Sequence, residues 1–254
     1  MSARISPLRL EGFDQLPKHA RRCVFWEVDP ATLNRDDHLS DPEFEKEAWL
    51  SMVMLEWGSC GQVAVRSRAR RGDESDADGG LGEEPCLGYA FYAPPRAVPR
   101  ARLFPSGPVS ADAILLTSVG VEPGPDSDAL PQGLLTSVVS DLVRRGVRAL
   151  EAFGRTEATE HLSDPRVVPG DCHAAVTVLG DCSVQRCIVG ADVLEAVGFT
   201  VVSPHPYFPR LRLELEQGLG WKADVEAALE RLLESAQLQQ PVGAGAGRYA
   251  QARG

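Results

Sequence analysis

The stretch that decides the fold runs from Ala113 to Gly154: AILLTSVGVEPGPDSDALPQGLLTSVVSDLVRRGVRALEAFG. Ala113 to Val121 is the most apolar run of the chain, so it reads as a central strand buried on both faces. Leu134, Leu135, Val138, Val139, Leu142 and Val143 then recur at helical spacing. Arg144 and Arg145 suit the negative end of that helix, and Gly146 its C′ position. Arg148 to Phe153 is the next strand. The whole is a strand–loop–helix–strand unit. Its loop is aimed at a helix N-terminus, where backbone N–H groups can hold an anion.

Working outward, Ile5 to Leu10 reads as a first strand and Leu16 to Trp26 as a segment holding a short helix. Pro42 to Trp57 is a helix: Pro near its start, Glu43, Glu45 and Glu47 in its first turns, and Phe44, Ala48, Met52 and Val53 along one side. Gly58 ends it. Gln62 to Val65 and Cys86 to Ala93 are strands, the second stopped by Pro94 and Pro95. Between them, residues 66–85 are charged and Gly-rich with almost no core-forming side chain, which predicts a flexible loop. Glu157 to Arg186 is a long excursion without a clear period. Asp192 to Val197 is a short helix closed by Gly198, and Thr200 to Ser203 and Leu211 to Leu215 are strands. Leu211, Leu213 and Leu215 alternate with Arg212 and Glu214, as in a half-buried strand. Ala223 to Glu234 reads as a final amphipathic helix. The expectation is one domain over 1–235 and a disordered Gln/Gly/Ala-rich tail over 236–254.

The bulk composition narrows the function. With 254 residues, 43% hydrophobic and 24% charged, the chain is an ordinary globular sequence. A formal net charge of −10 argues against a nucleic-acid partner, which calls for a basic face. No apolar run reaches the roughly 18 residues a membrane helix needs, and Met1 to Phe13 has no signal-peptide core, so neither a membrane partner nor export is expected. Six scattered Cys point to reduced thiols and a cytoplasmic location.

The order of elements, with three local sequences, resembles the GNAT superfamily of N-acetyltransferases, and within it an actinobacterial subgroup. The apolar strand running into Val119-Gly120-Val121-Glu122-Pro123 is similar to the family's cofactor strand. The helix before Arg144-Arg145-Gly146 and the strand Ala149 to Phe153 resemble the rest of that motif. Ala191 to Phe199 (ADVLEAVGF) resembles the short helix before the family's sixth strand. The resemblance implies an α/β (α+β) fold, a single domain with a mixed, mostly antiparallel sheet flanked by helices on both faces and splayed near Val119 to Val121. It implies acetyl-CoA as co-substrate, a CoA thioester and an amine acceptor (small molecule or protein) as partners, and a homodimer as one possible state. Val119, Gly120 and Val121 would then face the pantetheine arm, and Ala129, Leu130, Pro131, Gln132 and Gly133 the diphosphate. Two positions depart from the family's pattern. Its Arg/Gln-x-x-Gly-x-Gly/Ala loop falls on Asp126, Ala129 and Pro131, and its thiolate-protonating Tyr falls on Leu194. A non-catalytic binding or regulatory module is therefore the alternative.

Amine acylation needs a base for the attacking ammonium. Glu151, in the apolar strand Ala149 to Phe153, is the catalytic candidate, because desolvation there would raise its pKa; the plainer reading has it facing solvent or pairing with an Arg such as Arg148. Glu56 is a second candidate. Cys172, Cys182, Cys187 and His173 lack the Cys-x-x-Cys spacing of a zinc knuckle, and His19 and Cys23, four apart on one helical face, are only two ligands. The expectation is no metal. Trp26, Trp49 and Trp57 are expected to pack the N-terminal helices, and His205 and Tyr207 to shape a Pro-rich turn.

Overall fold

The computed structural model describes residues 3–30, 41–66, 85–124, 127, 129–164, 166–180 and 182–215. Most of the loop expected over 66–85, the helix expected at Ala223 to Glu234, the tail, Asp126 and Asp128 lie outside the described residues.

Seven strands form one sheet: β1 (Ala3–Pro7), β2 (Gly61–Arg66), β3 (Cys86–Ala93), β4 (Ala113–Val121), β5 (Ala149–Phe153), β6 (Thr200–Ser203) and β7 (Arg210–Glu214). Their spatial order is β1-β2-β3-β4-β5-β7-β6. Every neighbouring pair is antiparallel except β4 and β5, which are parallel and joined by helix α3 (Leu130–Arg144). A parallel pair needs such a crossover, and the apolar stripe of α3 supplies the face that closes it onto the sheet. Helices α1 (Lys18–Arg22) and α2 (Pro42–Trp57) precede the unit, and α4 (His173–Val176), α5 (Val184–Cys187) and α6 (Ala191–Ala196) follow it. The expected mixed, mostly antiparallel sheet with helices on both faces is the one observed.

Each face carries its own core. Ala90, Tyr92, Ile114, Leu116, Leu150 and Ala152 pack under α3 and α6 with Leu134, Leu135, Val138, Leu142 and Leu194. Phe91, Leu115 and Phe153 point the other way, toward Phe25, Trp26, Trp49, Leu50, Val53 and Phe104. This alternation is the period of two of a strand with both faces covered.

α2 has the bounds read from the sequence, and Asp41 caps it by accepting from the amides of Glu43 and Phe44. Gly58 closes it at φ +101, a conformation a side chain would strain. The buried face of α2 differs from the expected one. Trp49, Leu50, Val53 and Lys46 turn inward, while Phe44 and Met52 are exposed. Trp49, Leu50 and Val53 form one apolar stripe at helical spacing, and Lys46 is accommodated in line with it because its ammonium ion-pairs with buried Glu27 and lies 4.5 Å from the centre of the Phe91 ring. The segment Leu16 to Trp26 is helical only over α1, because Cys23 leaves it in an extended conformation.

Candidate active site

β4 and β5 are held together by three residue pairs: Ala113 with Ala149, Ile114 with Leu150 and Leu115 with Glu151. Beyond them the strands part, and Leu116 to Val121 have no partner on β5 among the described residues. Meanwhile β4 keeps its pairing with β3 as far as Val121 opposite Gly88. The register slips within that pairing: Leu116 faces Tyr92 and Ser118 faces Phe91, which leaves Thr117 as an extra residue. Such a bulge bends its strand. The Thr117 hydroxyl donates to the Phe91 carbonyl at 3.0 Å and fixes the bend. The result is a split in the sheet whose one wall is the outer edge of β4, with alternating backbone donors and acceptors aimed into it. Val119, Gly120 and Val121 all lie on that wall, where the sequence put the splay.

Gly120 has a second role. Its partner Tyr89 lays its ring against it, and a Cβ there would run into that ring. On the other face Val119 and Val121 pack into the core under α3. The β4 wall is thus backed by an aromatic ring on one side and a helix on the other.

At the start of α3, Ala129 is the N-cap and makes no side-chain capping bond. Gly133 donates to the Ala129 carbonyl at 3.3 Å, so its amide is already used in the helix. Pro131 has none to offer, and its fixed φ suits the first turn. That leaves Leu130 and Gln132 as the backbone donors of the first turn, fewer than a glycine loop provides. The dipole of the helix still favours an anion at this end, where the described first turn carries no acidic residue. The far end of α3 is anchored. Arg145 donates to the carbonyls of Trp57 (2.7 Å) and Ser59 (2.8 Å) and stacks 3.5 Å from the Trp57 ring centre.

Glu151 is not the desolvated base that its apolar strand suggests. It is fully buried, but Arg210 and Arg212 hold its two carboxylate oxygens at 2.5 and 3.1 Å, and the Ser110 amide donates at 3.1 Å. Burial pushes its pKa up. The hydrogen bonds from Ser110, Arg210 and Arg212 outweigh that and leave the carboxyl below its ordinary value. The plainer reading, a pairing with an arginine such as Arg148, holds for the residue type; the observed arginines come from β7, where Arg212 sits directly opposite Glu151. Arg212 also binds Asp112 at 2.9 Å and Glu214 at 2.6 Å, so Glu151 anchors a charged ladder across β5 and β7. Glu56 is exposed, 3.9 Å from Arg96, as a helix-end charge would be. Leu194 is wholly buried in the core under α3.

The remaining candidates divide. The His205 Nδ1 accepts from the amides of Tyr207 and Phe208 at 3.2 and 3.0 Å, which shapes the Pro-rich turn. Trp26 and Trp49 are buried, and Trp57 lies under Arg145 against Tyr92. Cys182 and Cys187 do not gather with Cys172 and His173. They join the other pair, His19 and Cys23, at one place beneath the α2 face of the sheet. The buried Glu27–Lys46 pair is a further feature that sequence reasoning missed. The sequence carries no local signal for it, because a lysine in a helix reads as a surface residue. A recess of about 590 Å3 also exists beside β1 and β2, lined by Arg4, Arg9, Glu11, Val63 and Cys86 among others. It touches neither the split nor the α3 N-terminus, and the split, with its unpaired strand edge, is the better-built site.

No protein-family model matches the chain, and no curated protein matches its sequence. Solved structures that resemble it include the PaiA N-acetyltransferase of Thermoplasma acidophilum in complex with coenzyme A, at 11% identity and TM-score 0.42, covering 84% of this chain and 99% of that one. An N-acetyltransferase from Staphylococcus aureus is similar at 13% identity and TM-score 0.39, with 85% and 99% covered. An aminoglycoside 6′-acetyltransferase of type Ii matches at 10% identity and TM-score 0.40, with 84% and 97% covered. These are distant likenesses, and the functional reading rests on the sheet, the split and the helix of this chain.

Proposed function

We propose that the chain transfers an acetyl or other acyl group from a CoA thioester to an amine, by direct attack within a ternary complex. The observation that carries this reading is the split between β4 and β5, which opens beside the N-terminus of α3. A CoA molecule has an amide-bearing pantetheine arm and a diphosphate. The free edge of β4 over Leu116 to Val121 offers ladder bonds to those amides, as a strand does to an added peptide. The first turn of α3, through the Leu130 and Gln132 amides, faces the diphosphate. The amine nitrogen attacks the thioester carbonyl, the C–S bond breaks, and the CoA thiolate leaves and takes up a proton. Holding thioester and amine together supplies much of the rate.

Calorimetry of the full chain with acetyl-CoA tests the first half. Binding is expected, weaker than a glycine-rich loop gives, because Pro131 removes one donor. No heat at millimolar ligand overturns the proposal. Release of free CoA thiol on addition of primary amines tests the second half. Leu194, buried where the resembling family carries a proton-donating Tyr, favours the alternative of a CoA-binding module. Binding without turnover over a panel of amines decides for that alternative.

A further inference from the structure

Two pairs of potential metal ligands, far apart in sequence, meet in the core. His19 and Cys23 are one turn apart on and just beyond α1. Cys182 and Cys187 lead into and end α5. The Cys23 sulphur lies 3.4 Å from that of Cys187 and 3.5 Å from that of Cys182. The His19 Nε2 lies 3.8 Å from the Cys187 sulphur. The donor atoms of His19, Cys23 and Cys187 all fall within 4.8 Å of one another. The three Cys are buried and His19 half-buried.

We propose that His19, Cys23, Cys182 and Cys187 form a structural zinc site. With zinc–sulphur bonds of about 2.3 Å and zinc–nitrogen bonds of about 2.05 Å, a tetrahedron has sulphur–sulphur edges of about 3.8 Å and sulphur–nitrogen edges of about 3.6 Å. The observed separations lie within a few tenths of an ångström of those edges. The ligand spacings, His-x3-Cys and Cys-x4-Cys, are those of one helical turn and one short loop. Cys182 reaches the set through Cys23 and is the donor that draws in when the ion binds. Four protein donors fill the coordination shell, so the site has no open position for catalysis. The ion ties α1 to α5 across the core, and the three thiol protons leave to solvent on binding.

The surroundings support the assignment twice. The Trp26 indole donates to the Cys187 carbonyl at 3.0 Å and fixes that ligand's backbone. Arg100 is wholly buried, with its guanidinium 3.9 Å from the Phe25 ring centre. One of its nitrogens donates to the carbonyls of Ala175 (3.2 Å) and Thr177, while Nε and Nη1 have no partner among the described residues. Burial pushes its pKa down, and Cys182, Cys187, Asp29 and Cys23 lie within electrostatic range of it. A doubly charged cation with three thiolates and a neutral imidazole carries one net negative charge, the complement of that arginine. A disulfide between Cys23 and Cys187 would leave the third sulphur and the imidazole without a role.

The test uses the full chain, purified under reducing conditions through a tag without histidines. Elemental analysis by mass spectrometry should find about one zinc per chain. Cys187→Ser and Cys23→Ser should lose it, while Cys60→Ser and Cys172→Ser keep it. If the ligand variants do not fold, the parent chain still decides. Stripped of metal and given cobalt(II), it should develop thiolate-to-cobalt charge-transfer absorption and tetrahedral d–d bands, saturating at one equivalent. Absence of zinc together with absence of those bands overturns the proposal. So does a disulfide joining any two of the three Cys in chain alkylated at the moment of lysis.

Discussion

The two faces of the sheet are built on different principles. The face under α3 and α6 is mostly aliphatic and covered by two regular helices, and its buried polar side chains form one closed chain, in which Gln62 donates to the Tyr92 hydroxyl at 3.1 Å and that hydroxyl donates to Asp141 on α3 at 2.9 Å. The face under α2 is aromatic and is covered by the N-terminal segment, 3-10 turns and the pieces between Glu157 and Cys187. Polar groups are buried there: Glu27 with Lys46, Arg100, and the thiols beside His19. Regular helices satisfy their own backbone groups and cover a face mainly by apolar area. Irregular segments bury backbone groups and leave gaps, so they need specific polar anchors to hold them in place.

The sharpest break of that comparison is Lys46→Met. It leaves the Glu27 carboxylate buried without its cation and should cost about 3–5 kcal/mol in denaturant unfolding. Replacing both, as Glu27→Leu with Lys46→Met, should recover most of the loss, because the pair is then exchanged for apolar packing. Burial already holds the Glu27 carboxyl above its ordinary value, against the pull of Lys46. In the single variant it moves higher still. A raised folded-state pKa favours the folded state at low pH, so the single variant's deficit should shrink as pH falls. A deficit that grows on acidification breaks the argument.

On the other face, Leu134→Ala probes plain packing. Leu134 is wholly buried, and its Cδ1 lies against Gly88, so truncation should cost about 2–5 kcal/mol. No second substitution at a polar site should rescue it, and its cost should not vary between about pH 5 and 8, since no titrating group is involved. The contrast between a pH-dependent and a pH-independent deficit is the comparison in measurable form.

The smallest effect is expected at the joint between β5 and β7. Glu151→Gln removes an ion pair to two arginines and should cost about 1.5–3 kcal/mol at neutral pH. The folded-state pKa of Glu151 is below its ordinary value of 4.5. Its contribution is therefore present above that value and lost as pH falls through the lower, folded-state one. Thermal scans should show the parent chain losing stability below about pH 4.5 and the variant losing less. Equal slopes would remove Glu151 from the account of acid stability.

Regular elements were legible in the sequence. β3, β4, β6 and α2 have the bounds their apolar runs and punctuating Gly and Pro residues imply, and the split lies where Val119 to Val121 put it. Two things were not. The buried face of α2 was misread, because periodicity treats Lys46 as a surface residue and cannot see Glu27 waiting beneath it. Pairing of Glu151 with an arginine was foreseen, with Arg148 as the example, but which arginines was not legible, because the register of β7 against β5 is set by a strand that arrives 59 residues later. The meeting of His19 and Cys23 with Cys182 and Cys187 spans 159 to 168 residues and depends on irregular segments without a period of their own. Local spacing carries no information about such a contact.

Mechanically, the split makes the sheet two plates joined by a short seam. One plate is β1 to β4, the other β5, β7 and β6, and the seam is the three rungs from Ala113 to Leu115. Two plates with a short seam can rotate about it, and the mouth would widen fastest at Val121, farthest from the pivot. A strut opposes that rotation. Trp26 stacks on Phe104 at 5.0 Å, Phe104 on Phe153 at 4.4 Å, and Phe208 meets Phe104 edge-on at 5.5 Å. This column braces the free end of β5 against chain that belongs to the other plate. Any rotation that widens the split moves Phe153 relative to Phe104, and so works against this aromatic stack as well as against the three rungs of the seam.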